Sequence, residues 1–80
     1  MEELKTGKKA VGLKQSKRAV LEGAVVRAYI AADAQERVTA PFLELLAEKG
    51  IPHETVPSML ELGKAAGIDV KAAVAVLLRG

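Results

Sequence analysis

Apolar side chains along this chain follow two patterns, continuous runs typical of buried strands and spaced positions typical of amphipathic helices. The segment from Ala24 to Ala31 is apolar and rich in β-branched residues, which predicts a buried central strand. A second run, Ala72 to Leu78, predicts the last strand. Ala10–Gly12 and Pro52–Val56 are shorter, and we expect short strands there, the second of them near an edge of the sheet.

Helical spacing is found between these runs. Glu2 to Lys8 predicts a short polar helix, and Lys14 to Glu22 predicts a second helix that ends at Gly23. In this second helix we expect Val20 and Leu21 to face the core.

A third helix is indicated by residues that favour helix starts. Thr39 is the predicted N-cap, because Pro41 would then lie near the start, where it needs no N–H partner. Gly50 is the predicted stop, and residues 34–38 have no clear pattern. The apolar side of this helix consists of Phe42, Leu43, Leu45, Leu46 and Ala47.

A capping-box pattern marks a fourth helix, since Ser58 and Glu61 can satisfy each other's backbone N–H groups across the first turn. This helix is expected to end around Ala65-Ala66-Gly67. Helices that alternate with buried strands predict an α/β fold, a three-layer α/β/α sandwich around a small mixed four-stranded sheet. The length of 80 residues is suited to one domain, residues 1–80.

The composition restricts the compartment and the chemistry. The chain has no cysteine, which excludes disulfides and thiolate sites and is consistent with a reducing cytoplasm. No apolar run reaches the roughly 18 residues that span a membrane, and the acidic segment Met1–Lys5 does not have the pattern of a signal peptide. We therefore expect a cytoplasmic protein that binds no membrane, no metal and no other cofactor.

Charge is distributed unevenly, although the net charge is only +2. Residues 1–18 carry six cations and two acids, whereas residues 33–61 carry six acids and two cations. One basic and one acidic face are expected, and a basic face is suited to a polyanion such as nucleic acid. A solvated helix whose lysines only add solubility would give the same pattern.

The cations are concentrated where the second predicted helix begins, in the segment Gly12-Leu13-Lys14-Gln15-Ser16-Lys17-Arg18. The first turn of a helix also has unpaired N–H groups and the positive end of the helix dipole. Such a surface is suited to an anionic partner that forms hydrogen bonds.

A second candidate segment precedes the last strand. In Leu62–Val70, Gly63 and Gly67 bracket small residues and permit close backbone approach, and Ile68 and Val70 follow in a loop. The segment could hold an unstacked base or a sugar edge. The alternative is a plain helix C-cap at Gly67, with Ile68 packed on the core.

Three blocks, taken in order, resemble the kink-turn-binding ribosomal protein family of the L-seven-Ae type, especially its small bacterial members. They are Gly12–Ala19, Ala31-Ala32-Asp33-Ala34 and Leu62–Val70, and the resemblance covers nearly all 80 residues. It implies that the first block opens a helix that enters the widened major groove of a kink-turn RNA and contacts tandem sheared G·A pairs. It also implies that the later loop covers the unpaired nucleotides of the bulge.

The resemblance assigns roles by position. It implies base contacts from Gly12, Lys14, Gln15 and Arg18. It implies phosphate contacts from Lys8, Lys9, Lys17, Lys64 and Lys71. The bulge-covering loop would consist of Gly63, Ala65, Ala66, Gly67, Ile68 and Val70. Archaeal and eukaryotic relatives have Asn-Glu in place of Lys14-Gln15, and the bacterial members are more similar to this chain.

The sequence therefore predicts a monomeric, non-enzymatic protein that binds a ribosomal or regulatory kink-turn RNA and associates with the ribosome. Asp33 follows a buried strand, where α/β enzymes often have catalytic groups, but it can equally cap the next turn. A protein-interaction module of the same fold, without specific RNA binding, is the alternative. RNA binding requires the basic face and the Ile68/Val70 loop to lie side by side, whereas a protein adaptor predicts an exposed apolar patch elsewhere.

Overall fold

The computed structural model describes residues 2–80, with side chains from Leu4 onward, so that Met1 of the segment Met1–Lys5 lies outside it. The helices of these residues are α1 (Glu2–Thr6), α2 (Leu13–Leu21), α3 (Glu36–Lys49) and α4 (Met59–Ala65). The strands are β1 (Lys9–Val11), β2 (Val25–Ala31), β3 (His53–Val56) and β4 (Val74–Leu78). Within residues 2–80, no helix combines the length and the apolar character that a membrane span requires.

The strands form one mixed sheet in the order β1-β4-β2-β3. β4 is antiparallel to both β1 and β2, and β3 is parallel to β2. β1, β2 and β3 therefore all end at the edge where β4 begins, which we call the Val74 end of the sheet. Because α2, α3 and α4 each follow one of these three strands, all three helices begin at the Val74 end.

Helices cover both faces of the sheet, as predicted for three layers. Alternation along β2 directs Ala28 and Ile30 to one face and Tyr29 and Ala31 to the other. The first face packs against α2 and α3 through Ala19, Val20, Phe42 and Leu46. The second packs against α1 and α4 through Leu4, Leu62 and Ala66. The predicted α/β/α sandwich and its four-stranded mixed sheet are confirmed.

α3 begins earlier than the sequence predicts. The N-cap is Gln35, and the prediction of Thr39 as N-cap is wrong. Thr39 lies at the end of the first turn, buried, with its hydroxyl 3.5 Å from the carbonyl oxygen of Gln35. Pro41 therefore lies in the second turn, where it removes the hydrogen bond to the Arg37 carbonyl. Burial of Phe42 beyond it offsets the missing bond.

Leu21 also differs from its predicted position. Val20 is 1% exposed, as expected, but Leu21 is 58% exposed. Successive helical residues point about 100° apart, and the buried side of α2 is already set by Ser16, Ala19 and Val20. The prediction that Leu21 faces the core is therefore wrong, whereas the predicted stops at Gly23 and Gly50 both follow their helices as expected.

The two leucines that differ in burial provide a test of this packing. Replacing Leu46, which is 1% exposed in the first core cluster, by Ala should lower the free energy of unfolding by about 2–5 kcal/mol through lost burial and a residual cavity. Replacing Leu21 by Ala should change it by no more than about 0.5 kcal/mol. Urea unfolding followed by circular dichroism measures both, and equal losses would contradict the assigned packing.

Candidate nucleic-acid interface

Gly12 connects β1 to α2 in a backbone conformation that is essentially restricted to glycine, with φ 93° and ψ 156°. Its N–H donates to the Val74 carbonyl at 2.9 Å, and its carbonyl accepts from the N–H of Ser16 at 2.9 Å. These two bonds determine where α2 begins and hold its first turn at the Val74 end. Because glycine has no side chain that could cap the helix, the first-turn N–H groups are left to face outward.

The buried side of α2 determines where its polar side chains point. Ser16, Ala19 and Val20 lie against the sheet, and the exposed polar residues are Lys14, Gln15, Lys17 and Arg18. Gln15 and Arg18 are on the side toward β1, and Lys17 is on the side toward α3. Lys14 lies between these two sides, since it is three residues before Lys17 and four before Arg18 on the helix.

A groove between α2 and β1 brings three predicted RNA-contacting residues together, namely Lys9, Gln15 and Arg18. Ala10 and Val11 of the edge strand also line it. The Lys9 ammonium donates to the carbonyl oxygen of Lys5 at 3.1 Å and keeps further donors. Two cations and one amide therefore line a groove that runs along α2 from Gln15 to Leu78, where the Glu22 carboxylate also lines it.

The chain that follows α4 turns back along the helix. Gly67 has φ 78°, and the N–H of Ile68 donates to the Gly63 carbonyl at 3.0 Å, which together form a glycine C-cap. Ile68 packs against the second core cluster, so the alternative of a plain cap with Ile68 on the core is confirmed for these two residues. Val70, in contrast, is 68% exposed.

Gly63 is required for close approach of the returning chain. It is buried, and a Cβ at this position would overlap the carbonyl oxygen of Val70. The loop continues to Ala72, whose N–H donates to the Met59 carbonyl at 3.1 Å. The loop therefore lies flat against α4 from Gly63 back to the start of that helix.

The loop and the start of α2 meet at the Val74 end of the sheet. Val74 follows the loop directly, and its carbonyl accepts the Gly12 N–H. The preceding carbonyl, of Ala73, accepts the N–H of Ala31 at 2.9 Å. The start of α2, which carries Lys14 and Gln15, is therefore bonded to the strand that the loop leads into, four residues after Val70.

Other predicted residues lie outside this juxtaposition. Lys8 is at the opposite end of the sheet, where its carbonyl accepts from Leu78 and its side chain contacts Gly80. Lys64 is exposed on α4, on the other face of the sheet from α2. In the loop set, Ala66 is 1% exposed and belongs to the core, and Ala65 packs partly against it.

Asp33 has a role that the sequence does not indicate. Its Oδ1 accepts a hydrogen bond of 2.7 Å from the N–H of Met59, the first residue of α4. The carboxylate therefore caps a helix 26 residues away rather than the next turn. The local pattern pointed only to Ser58, whose hydroxyl accepts from the N–H of Glu61 at 3.1 Å as predicted.

This geometry defines a class of protein. It is a small α/β/α sandwich in which a basic helix start and a glycine-containing loop are joined at one end of the sheet. Residues 1–79 match the model of the Ribosomal protein L7Ae/L30e/S12e/Gadd45 family. The chain belongs to this family, which confirms the resemblance carried by its three sequence blocks.

Relatives and solved structures support this assignment. RNA-binding protein TTE2299 of Caldanaerobacter subterraneus subsp. tengcongensis is 47% identical over 68 residues, which cover 85% of this chain and 83% of that protein. RNA-binding protein GWCH70_0105 of Geobacillus sp. is 38% identical over 76 residues, covering 95% and 93%. A Giardia lamblia 15.5kD RNA binding protein superimposes with a TM-score of 0.83 at 25% identity, over 90% of this chain but only 61% of that one.

The close contact at Gly63 leads to a prediction about the loop. Replacing Gly63 by Ala should destabilise the fold by about 1–3 kcal/mol, because the methyl group would force the Val70 carbonyl away. Gly67→Ala, where a Cβ would meet open space, should cost about 1–2 kcal/mol for its left-handed backbone alone. Amide exchange separates the two, because only Gly63→Ala should also release the Ala72 amide, and equal protection of that amide in both variants would contradict the contact.

Proposed function

We propose that this protein binds kink-turn RNA, with the start of α2 recognising tandem sheared G·A pairs and the Gly63–Val70 loop covering the adjacent bulge. The observation that supports the proposal is the bond from Gly12 N–H to the Val74 carbonyl, which joins the start of α2 to the strand that follows this loop. RNA-binding names among the family relatives support RNA as the partner. The protein acts as a single domain of residues 1–80, a cytoplasmic, ribosome-associated monomer without enzymatic activity.

The electrostatics of the Val74 end favour an anion at α2. Of the three helices that begin there, α3 and α4 have Glu36 and Glu61 in their first turns, where a carboxylate is favourable. α2 has Lys14 there instead, which opposes the positive end of the helix dipole by about 0.3–1 kcal/mol. A phosphate or an electronegative base edge next to Lys14 would reverse this penalty.

The side chains at the start of α2 are suited to guanine edges. A lysine can donate to the O6 and N7 acceptors of guanine, and a glutamine amide can both donate and accept. Because Gln15 is neutral, it avoids repulsion from nearby phosphates. Ordinary A-form RNA has a major groove too deep and narrow for these side chains, so a kink that widens the groove is needed before Lys14 and Gln15 can reach the bases.

The remaining cations position the RNA rather than select it. Arg18 lies beside Gln15 and can reach a base edge or a phosphate, and Lys9, Lys17 and Lys71 are exposed or line the adjoining grooves. Lys8 and Lys64 lie away from the start of α2 and would contact phosphates only of an RNA that extends beyond the Val74 end. Val70, exposed beside Gly63, supplies an apolar surface for an unpaired nucleotide.

A protein-interaction module of the same fold is the second candidate. A groove between α2 and α3 is lined partly by Leu13, Pro41 and Leu45. Leu13, the first residue of α2, is 37% exposed. Lys17, Arg37, Glu44 and Glu48 also line this groove, so it offers a protein adaptor apolar contacts and charges of both signs. Binding through this groove would weaken less with salt than binding through several phosphates, which weakens steeply as salt rises.

Titration with two RNA duplexes tests the proposed function. The first contains a kink-turn, and the second has Watson–Crick pairs in place of the G·A pairs. We expect clearly tighter binding of the first, because the protein binds the kinked form preferentially and stabilises it. Calorimetry at two salt concentrations measures affinity and its salt dependence. Equal affinity for both duplexes would contradict kink-turn recognition and leave only a basic protein.

Substitutions in α2 test the residues involved. Lys14→Ala and Gln15→Ala should each weaken kink-turn binding by about 1–3 kcal/mol per lost base contact, with a smaller effect on the fully paired duplex. Lys49→Ala is the matched control, since this exposed lysine ends α3, a helix that begins at the Val74 end and runs away from it. If Lys49→Ala and Lys14→Ala had the same effect, α2 would not be the recognition helix.

A further inference from the structure

Asp33 is outside the set of RNA-contacting residues, yet it is bonded to the helix that carries the loop. We propose that Asp33 is a positioning residue, whose carboxylate ties the end of β2 to the start of α4 and so holds the Gly63–Val70 loop in the form that RNA meets. This inference rests on the proposed function. The observation behind it is the hydrogen bond of 2.7 Å from the N–H of Met59 to Oδ1 of Asp33.

Within residues 2–80, Asp33 is the acceptor from outside the helix start for an N–H group in the first turn of α4. Ser58 takes the N–H of Glu61 with its hydroxyl and the N–H of Leu62 with its carbonyl, both at 3.1 Å and both within the helix start. Asp33, which follows β2, accepts a hydrogen bond from the N–H of Met59. An ionised acceptor at the positive end of a helix makes a stronger bond than a neutral one.

The Asp33–Met59 hydrogen bond joins a well-held turn on the sheet side to a short helix whose position depends on its contacts. On the sheet side, the N–H of Ala32 donates to the Val56 carbonyl at 2.7 Å, which holds the Asp33 turn beside the end of β3. On the helix side, α4 has only seven residues. So short a helix does not hold itself together in isolation, and its position depends on the contacts made at its ends and on its buried side.

Met59 links Asp33 to the loop directly. Its N–H donates to Asp33, and its carbonyl accepts the N–H of Ala72 at 3.1 Å. Ala72 is the last residue but one before Val74, whose carbonyl holds Gly12. If the start of α4 moved, the end of the loop would move with it, and so would the surface next to Lys14.

The charge of Asp33 and its hydrogen bond predict opposite effects on RNA binding. As a negative charge near the Val74 end, the carboxylate repels phosphates, so its removal alone should tighten binding. As the hydrogen-bond acceptor that holds α4 in place, the Asp33 carboxylate should weaken RNA binding when it is removed. The sign of the change therefore distinguishes the two roles.

The experiment compares Asp33→Ala, Asp33→Asn and the control Glu36→Gln. Glu36 is an exposed carboxylate at the start of α3, also at the Val74 end, and its side chain accepts no hydrogen bond within residues 2–80. Amide exchange at Met59 and Ala72 is measured by NMR in the free protein, and affinity is measured with the kink-turn duplex. Asp33→Ala should lower protection at both amides by about five- to tenfold, as for the loss of a helix cap, and should weaken RNA binding by a similar factor.

Asp33→Asn keeps an oxygen acceptor, so it should retain most of the protection and most of the affinity. Glu36→Gln should leave protection at Met59 and Ala72 unchanged while removing the same charge. Unchanged exchange in Asp33→Ala, or tighter RNA binding by both Asp33 variants, would overturn the proposal. A wild-type protein that failed to prefer the kink-turn duplex would contradict the proposed function alone, because amide exchange in the free protein would still decide whether Asp33 ties α4.

Discussion

β4 enters the sheet between β1 and β2, and the position of the candidate interface depends on this one constraint. Because β4 is antiparallel to both neighbours, its first residue lies where they end. The carbonyls of Ala73 and Val74 then accept the N–H groups of Ala31 and Gly12, each at 2.9 Å. If β4 were instead at an edge beyond β3, the loop before it would be separated from α2 by the width of the sheet.

The same topology directs the starts of three helices to one edge. Their dipoles together make the Val74 end electropositive before any side chain is considered. The side chains then make the three helix starts different. Asp33 and Glu61 offset the positive end of the α4 dipole, and Glu36 offsets that of α3. Of these three starts, only that of α2 carries cations without a carboxylate, so it is the start best suited to an anionic partner.

Features that depend on local spacing could be predicted from the sequence, and features that depend on register could not. The buried run of β2, the stop at Gly50 and the exposure of Lys14 all follow from short-range patterns. The N-cap of α3 was mispredicted because tertiary packing of Phe42 outweighs the preference of Pro41 for a first turn. The bond between Asp33 and Met59 spans 26 residues and has no local signal, and the distance of Lys8 from α2 follows only from the pairing of β1 with β4.

Attraction and selection have different structural origins at this interface. Cations such as Lys9, Arg18 and Lys71 attract any polyanion, and their contribution falls as salt rises. Selection requires that the neutral Gln15 and the loop keep a fixed relative position, because a mobile edge would adapt to many RNA shapes and would lose entropy on binding. Gly63 lets the loop backbone approach where a Cβ would overlap the Val70 carbonyl, whereas Gly12 supplies the positive φ that turns the chain from β1 into α2 and donates to the Val74 carbonyl. In the proposed interface, the glycines and the strand order would therefore matter for specificity as much as the basic residues matter for affinity.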